Sequence, residues 1–317
     1  MLAERHAELT ALAQLVGDGG TVVVEGPAGI GKSALLAAAQ ALGTEAGRTV
    51  LCVRATRLER AFAFGVAEQL LGVTAPAADD GGLTGIRQLT DAVQDRAATT
   101  DLLLVVDDAQ WSDPESLRLL AYVARRLTGP ALALAIGVRT GEPDAPRELL
   151  AALGDAATLV VRPRPLSDAA AAALVESWAD GVASALRASC VRTADGNPLY
   201  LRELSRAAAD GRDLVPDAVT GLGADVERRI AAAGSEAERV ARAVAVLGDG
   251  VTLGAVATLS GLDPAAAGAA ATTLQRSEIL AGSGTYRFTH PLLRAVVEDG
   301  MDDGTALTLR RAAAELL

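Results

Sequence analysis

The residues best suited to do chemistry sit in one octet, Gly26-Pro27-Ala28-Gly29-Ile30-Gly31-Lys32-Ser33, which fits G-x-x-x-x-G-K-[ST]. That spacing is built for phosphate. Gly26, Gly29 and Gly31 let the backbone through Ala34 wrap an anion without a Cβ in the way. Lys32 is expected to reach the β- and γ-phosphates, and the Ser33 hydroxyl to ligate Mg2+. Lys32 is also the only lysine; the other 28 basic residues are arginine. A chain that uses arginine almost everywhere keeps lysine where a compact ammonium is needed and a planar fork would not fit. The competing reading is a glycine-rich turn that binds nothing. Its flanks argue otherwise. Residues 21–25 form a β-branched run readable as a buried strand, and residues 33–46 are Ala- and Leu-rich and free of proline, as a helix wants. A helix N-terminus adds favourable potential for an anion.

Such a loop needs an acid to hold the metal. After Asp101, residues 102–106 are an apolar run that ends in Asp107-Asp108, short enough for a buried parallel strand. Asp107 is expected to orient Mg2+, and Asp108 to position or activate the attacking water. Aspartate is one methylene shorter than glutamate, so slow hydrolysis is expected. Taken alone, the pair reads equally as a helix N-cap. Asp113 before Pro114 reads as cap and first helical position of a helix to about residue 127. Another apolar run, 132–138, ends at Arg139-Thr140. Arg139 reads as a reporter of the γ-phosphate or as a surface ion pair. With 49–54 and 158–162, five parallel strands are expected, ligands binding at their carboxyl ends.

The elements that carry these residues belong to a chain of 317 residues, half of them hydrophobic, with a net charge of −11. That length suits about two domains. The acidic balance argues against a dedicated nucleic-acid or anionic-membrane binder. Two cysteines and two histidines exclude a disulfide framework and argue against a zinc site of the usual four ligands. The charged start lacks a secretory apolar stretch, and no run approaches the roughly 18–20 apolar residues of a membrane span. A cytoplasmic protein with no membrane contact is expected.

Four stretches resemble the signal-transduction ATPases with numerous domains (the STAND class), and within it the nucleotide-binding core of large LuxR-type, MalT-like transcriptional regulators. They are residues 23–33; 105–117, Val-Val-Asp-Asp-Ala-Gln-Trp-Ser-Asp-Pro-Glu-Ser-Leu; 196–204, beginning Gly-Asn-Pro-Leu-Tyr; and 286–294, Tyr-Arg-Phe-Thr-His-Pro-Leu-Leu-Arg. They run in the family's order over nearly the whole chain. The resemblance implies an AAA-type ATPase core, a helical lid and a winged helix. It also implies roles for single residues: Pro198 packs on adenine, Arg139 senses the γ-phosphate, and His290 touches the β-phosphate of ADP and holds a closed resting state. Read from the residue alone, His290 before Pro291 is a capping or core histidine. The family's opening Gly-Arg-Glu segment is replaced by Glu4-Arg5-His6, so Arg5 is the base-pocket candidate. No residue matches an arginine finger.

The expected organisation is an α/β P-loop core with a five-stranded parallel sheet (1–165), an all-helical lid with the Gly-Asn-Pro turn (166–212), a linker and winged-helix clamp (213–300), and the start of a further helix (301–317). Lid helices are expected through 179, over 182–194 and over 199–209, with Trp178 and Tyr200 in their core and Asp217 a cap in the linker. Residues 253–260 and 264–276 have helix-turn-helix form, with 282–284 as the tip of a wing. Residues 265–273 contain no basic residue, so this domain is expected not to touch DNA. In the family a DNA-binding module would lie beyond residue 317, and this chain reads as a truncated member or a piece of a longer one. The function expected is an ATP/ADP-binding, Mg2+-dependent slow ATPase, the nucleotide switch of a signal-responsive transcriptional regulator, with homo-oligomer formation on activation left open. The alternatives are a stand-alone turnover ATPase and a loader-like AAA ATPase acting on DNA.

Overall fold

A computed structural model describes residues 2–76, 81–126, 129–178, 182–211 and 221–316. The expected Asp217 cap, the 212/213 boundary, and the helix ends at residues 127, 179 and 317 lie outside the described residues. The chain divides into two compact units, residues 1–140 with 144–164, and residues 141–143 with 165–317.

The first unit runs α1 (His6–Asp18), β1 (Gly20–Gly26), α2 (Lys32–Glu45), β2 (Thr49–Arg54), α3 (Gly65–Leu71), α4 (Leu83–Ala97), β3 (Leu102–Asp107), α5 (Pro114–Arg126), β4 (Leu132–Arg139), α6 (Arg147–Ala156) and β5 (Leu159–Val161). All five expected strands form, in one parallel sheet of order β2-β3-β4-β1-β5. Helices cover both faces, so the strands are apolar throughout rather than alternating. In β3, Leu103 and Val105 pack with Leu12, Leu15, Leu35 and Leu36 of α1 and α2. Leu102, Leu104 and Val106 face the other way, towards Val66, Leu70, Leu89 and Leu117 of α3, α4 and α5. Each strand thus feeds two cores through its period of two.

Local pattern gave no expectation for α3, α4 or α6. For α3 the reason is visible. Its first N–H groups are satisfied from far along the chain. Asp113 accepts from Phe64 N (2.8 Å) and Val66 N (3.2 Å), and Ser116 Oγ from Ala67 N (3.0 Å). Asp113 also accepts from Ser116 N (2.8 Å) and Ser116 Oγ (2.6 Å). One carboxylate therefore caps α5, as its place before Pro114 predicts, and the start of α3 as well.

The second unit contains α7 (Asp168–Trp178), α8 (Ser184–Ala194), α9 (Pro198–Ala209), α10 (Leu222–Ala233), α11 (Ser235–Leu247), β6 (Val251–Thr252), α12 (Leu253–Ser260), α13 (Pro264–Arg276), β7 (Leu280–Ala281), β8 (Thr285–Phe288), α14 (Pro291–Asp299) and α15 (Asp303–Leu316). The three strands form a small antiparallel sheet, β6-β8-β7. Helix α11 is its centre, with Val240, Ala241 and Val244 fully buried. Trp178 corrects an expectation: it is 43% exposed, while Tyr200 is 7% exposed and does join the core. Helix α7 buries only Ala171 and Val175, and Trp178 falls past the end of that stripe. The sole basic residue of α13 is Arg276, in its last turn. No described helix is long and apolar enough to cross a membrane.

Candidate functional site

The octet occupies the step from β1 into α2. Gly31 caps α2 at φ +108° with no side-chain cap, a backbone conformation that L side chains rarely adopt. The first bond across that terminus is Leu35 N–H to Gly31 O, 3.1 Å. The earlier N–H groups open into the loop, which is how a helix start receives an anion. Lys32 is 6% exposed, and its Nζ donates to the carbonyls of Gly26 (2.9 Å) and Pro27 (2.8 Å). The ammonium therefore lies against the loop it is expected to serve. Arg5 is also buried. It donates to Ile30 O (3.3 Å) and Arg164 O (2.8 Å), so its guanidinium braces the loop backbone.

The sheet order puts β4 between the loop strand β1 and the acid strand β3. Gly26 pairs with Arg139 across β1 and β4, and Val106 with Ile136 across β3 and β4. The carboxyl ends of three strands thus bring Gly26, Asp107 and Arg139 to one edge. A Cβ on Gly137 would lie 2.9 Å from Asp107 Oδ1, so glycine on β4 leaves that carboxylate its space. Among the described residues no group of three or more His, Cys, Asp or Glu could hold a metal. Mg2+ does not require one: it binds through one or two carboxylates with substrate oxygens and water. Ser33 and Asp107 fit that donor set.

Asp108 follows at φ +54°, left-handed for a non-glycine residue. Its Oδ2 accepts from Arg54 Nε at 2.9 Å and pairs with the second guanidinium nitrogen at 2.8 Å. Its Oδ1 accepts from Gln110 Nε2 at 3.0 Å. Gln110, fully buried, accepts the Arg139 N–H at 2.8 Å. A chain of bonds thus crosses the ends of β2, β3 and β4. The hydrogen bond and charge of Asp108 push the Arg54 pKa up from its ordinary value. Arg54 and Gln110 are site residues that sequence reasoning missed. The available signal was position alone: Arg54 ends β2 and pairs in register with Asp107. Beyond Arg139, Thr140 N–H donates to Gly26 O (3.1 Å), while its Oγ1 is buried with no hydrogen-bond partner.

Pro198 and His290 lie in the second unit. The Gly-Asn-Pro turn has a local explanation. Asn197 Oδ1 caps α9, accepting from Leu199 N (3.0 Å) and Tyr200 N (3.4 Å), and Pro198 takes the first turn. A Cβ on Gly196 would lie 2.5 Å from Leu166 O. His290 is the N-cap of α14: Nδ1 accepts from Leu292 N (3.1 Å). Its Nε2 then carries the proton and donates to Ala194 O (2.9 Å). The ring meets Tyr200 edge-on at 4.6 Å. Both nitrogens are engaged within the unit, so contact with a phosphate requires Nε2 to leave Ala194.

Burial holds the His290 pKa below its ordinary 6.5, against the Ala194 bond and the Asp195 charge, which raise it. The neutral ring is the folded form. Its stabilisation is therefore full above the unfolded value and is lost as pH falls through the lower folded one. Thermal unfolding of the parent should fall more between pH 7.5 and 5.5 than that of His290→Asn, which retains a capping side chain. Equal slopes would refute the assignment.

A buried-core parallel sheet, a glycine loop feeding a helix and a carboxylate strand end together define a P-loop nucleotide-binding fold. Residues 2–136 match the family model described as AAA ATPase domain. A search of curated proteins found no match. The fold is similar to that of the Aeropyrum pernix ORC2 protein in its ADPNP–ADP complexes, with a TM-score of 0.60 and 16% identity over 99% of this chain and 96% of that one. The ADP form of the same protein gives a TM-score of 0.52 and 15% identity over 98% and 95%. At these identities the likeness is one of fold. The AAA match is coarser than the STAND, MalT-like resemblance of the motifs.

Proposed function

We propose that the protein binds ATP and ADP with Mg2+ and hydrolyses ATP slowly, as a nucleotide-dependent switch. The observation that carries this is the meeting of the Gly26–Ser33 loop, Asp107–Asp108 and Arg139 at one sheet edge. In this reading the backbone from Gly26 to Ala34 binds the phosphates, and Lys32 exchanges the carbonyls of Gly26 and Pro27 for phosphate oxygens. Ser33 and Asp107 hold Mg2+, which when bound neutralises charge on the phosphates. Arg139 reads the γ-phosphate. Asp108 positions the attacking water once its carboxylate leaves Arg54 and Gln110, a masking that fits slow turnover. Pro198 and His290 are adenine and ADP contacts in the same reading.

Asp108→Asn tests it. Nucleotide affinities should stay near the parental values while hydrolysis falls about 100-fold or more, the usual effect of losing a general base. An unchanged rate would remove Asp108 from the reaction. No binding of ATP or ADP to the intact chain below millimolar concentration would end the reading altogether.

Two outputs compete. The motif resemblance supports a transcriptional regulator whose second unit is a winged-helix clamp. Likeness to ORC2 along nearly the full length of both chains supports a loader-like ATPase acting on DNA, and that likeness weighs more here because it covers both units. The acidic charge and the base-poor α13 weigh against DNA contact by this chain. Salt-dependent duplex binding that differs between the ATP and ADP states favours the loader reading, and its absence favours the regulator.

A further inference from the structure

Two side chains restrain Asp108, and they are not equal. Arg54 meets Oδ2 from the surface. Its side chain is 70% exposed, so water competes for both partners and the pair contributes little. Gln110 meets Oδ1 from the interior. It is fully buried, where water cannot replace a bond that is lost. Its backbone is fixed as well. Ala109–Trp111 form one tight turn, closed by Trp111 N–H to Asp108 O (2.9 Å) and Ser112 N–H to Ala109 O (3.0 Å). Trp111 is buried and lies under the Arg57 guanidinium, 4.2 Å from the ring centroid.

The partners of Gln110 settle which way its amide points. A backbone N–H can only donate, and an ionised carboxylate can only accept. The carbonyl oxygen therefore faces Arg139 N (2.8 Å) and the amide nitrogen faces Asp108 Oδ1 (3.0 Å). The far end of this link is β4. Arg139, its last residue, turns its N–H to Gln110, and the next residue, Thr140, turns its N–H to Gly26 O (3.1 Å). Gln110 thus ties Asp108 to the strand end that borders the phosphate loop. All of these residues lie in the first unit.

We propose that Gln110 is a positioning residue: its amide fixes the Asp108 carboxylate to the end of β4, back from the attacking water, and so sets the rate of hydrolysis without touching the nucleotide. The inference rests on the reading of Asp108 as the group that positions that water. Asp108 gives up both restraints in order to act. The exposed pairing with Arg54 exchanges readily with water, so the buried bond to Gln110 is the one that limits release. The effect falls on turnover and leaves affinity alone, because Gln110 makes no phosphate contact in this reading.

The experiment measures the hydrolysis rate at saturating ATP, and the ATP and ADP dissociation constants, with Mg2+, for the intact parent chain, Gln110→Met, Gln110→Asn, Asp108→Asn and the double variant Gln110→Met/Asp108→Asn. Methionine keeps the length of the side chain without the amide; asparagine keeps the amide without the reach. Gln110→Met should hydrolyse ATP at least about tenfold faster than the parent, the lower end of what a hydrogen bond to a charged group is worth. Both dissociation constants should stay within about twofold of the parental values. In the Asp108→Asn background the same substitution should change the rate by less than about twofold, because a residue that acts through another is not additive with it. A merely structural role would weaken binding and hydrolysis together, and alike in both backgrounds. That result overturns the proposal, as does an unchanged or slower rate for Gln110→Met. Loss of the amide also leaves the Arg139 N–H without its acceptor, which can prevent folding; if Gln110→Met does not fold, Gln110→Asn decides by the same criteria. A rate lowered by Asp108→Asn but unmoved by Gln110→Met removes Gln110 alone. A rate unmoved by Asp108→Asn removes the Asp108 reading and this proposal with it.

Discussion

Lys32→Ala is expected to abolish useful binding of ATP and ADP while leaving the fold intact. The Lys32 ammonium is nearly buried, and it donates to two carbonyls of the loop itself. Truncating one member of a buried, hydrogen-bonded charge pair costs about 2–5 kcal/mol, so the dissociation constants should rise by roughly 30-fold to 5,000-fold. Stability should hardly move, because alanine is the best helix former at the first position of α2 and loop carbonyls can turn to water. Lys32→Arg should not rescue, since the planar fork cannot occupy the place of a point charge between two carbonyls. Calorimetric titration with both nucleotides, beside a thermal melt, checks this. Tight ATP binding by Lys32→Ala would move the nucleotide elsewhere and undo the site.

The largest expected effect on stability is at Asp113, away from the phosphate loop. The Asp113 side chain is fully buried and accepts from three backbone N–H groups and one hydroxyl. Asp113→Ala leaves those donors unpaired in the core, and breaking a buried network of this kind costs about 3–5 kcal/mol. For a unit of this size the melting temperature should fall on the order of 10 °C. Asp113→Asn keeps one acceptor oxygen and should fall less. A melt within a degree or two of the parent for the alanine variant would show that the network contributes nothing, and would detach α3 from the account of the fold.

Much of the first unit could be read from the sequence because its signals are local. A β-branched or Leu-rich run before a turn makes a strand, and the glycine octet carries its own strand, loop and helix start. The same holds for Asn197-Pro198 and Asp113-Pro114, where cap and first helical residue are neighbours. Helix α3 was not legible, because its N–H groups are met by Asp113 and Ser116, 47 to 49 positions away. The masking of Asp108 by Arg54 was hidden for the same reason, at a separation of 54 residues. His290 shows how one residue supports two readings: capping is visible in the pair with Pro291, whereas its bond to Ala194 crosses 96 residues.

By itself, then, the sequence marked the residues whose types and spacing suit phosphate and metal, and placed them at the ends of strands in a parallel sheet. Their types and short spacings are set by chemistry that acts over a few bonds. Only the tertiary structure decided that β4 lies between the loop and the acids, and that Arg54 and Gln110 hold Asp108. Each of these joins segments that are distant along the chain. Their pairing depends on which strands become neighbours and which side chains are buried together, and no local pattern encodes that.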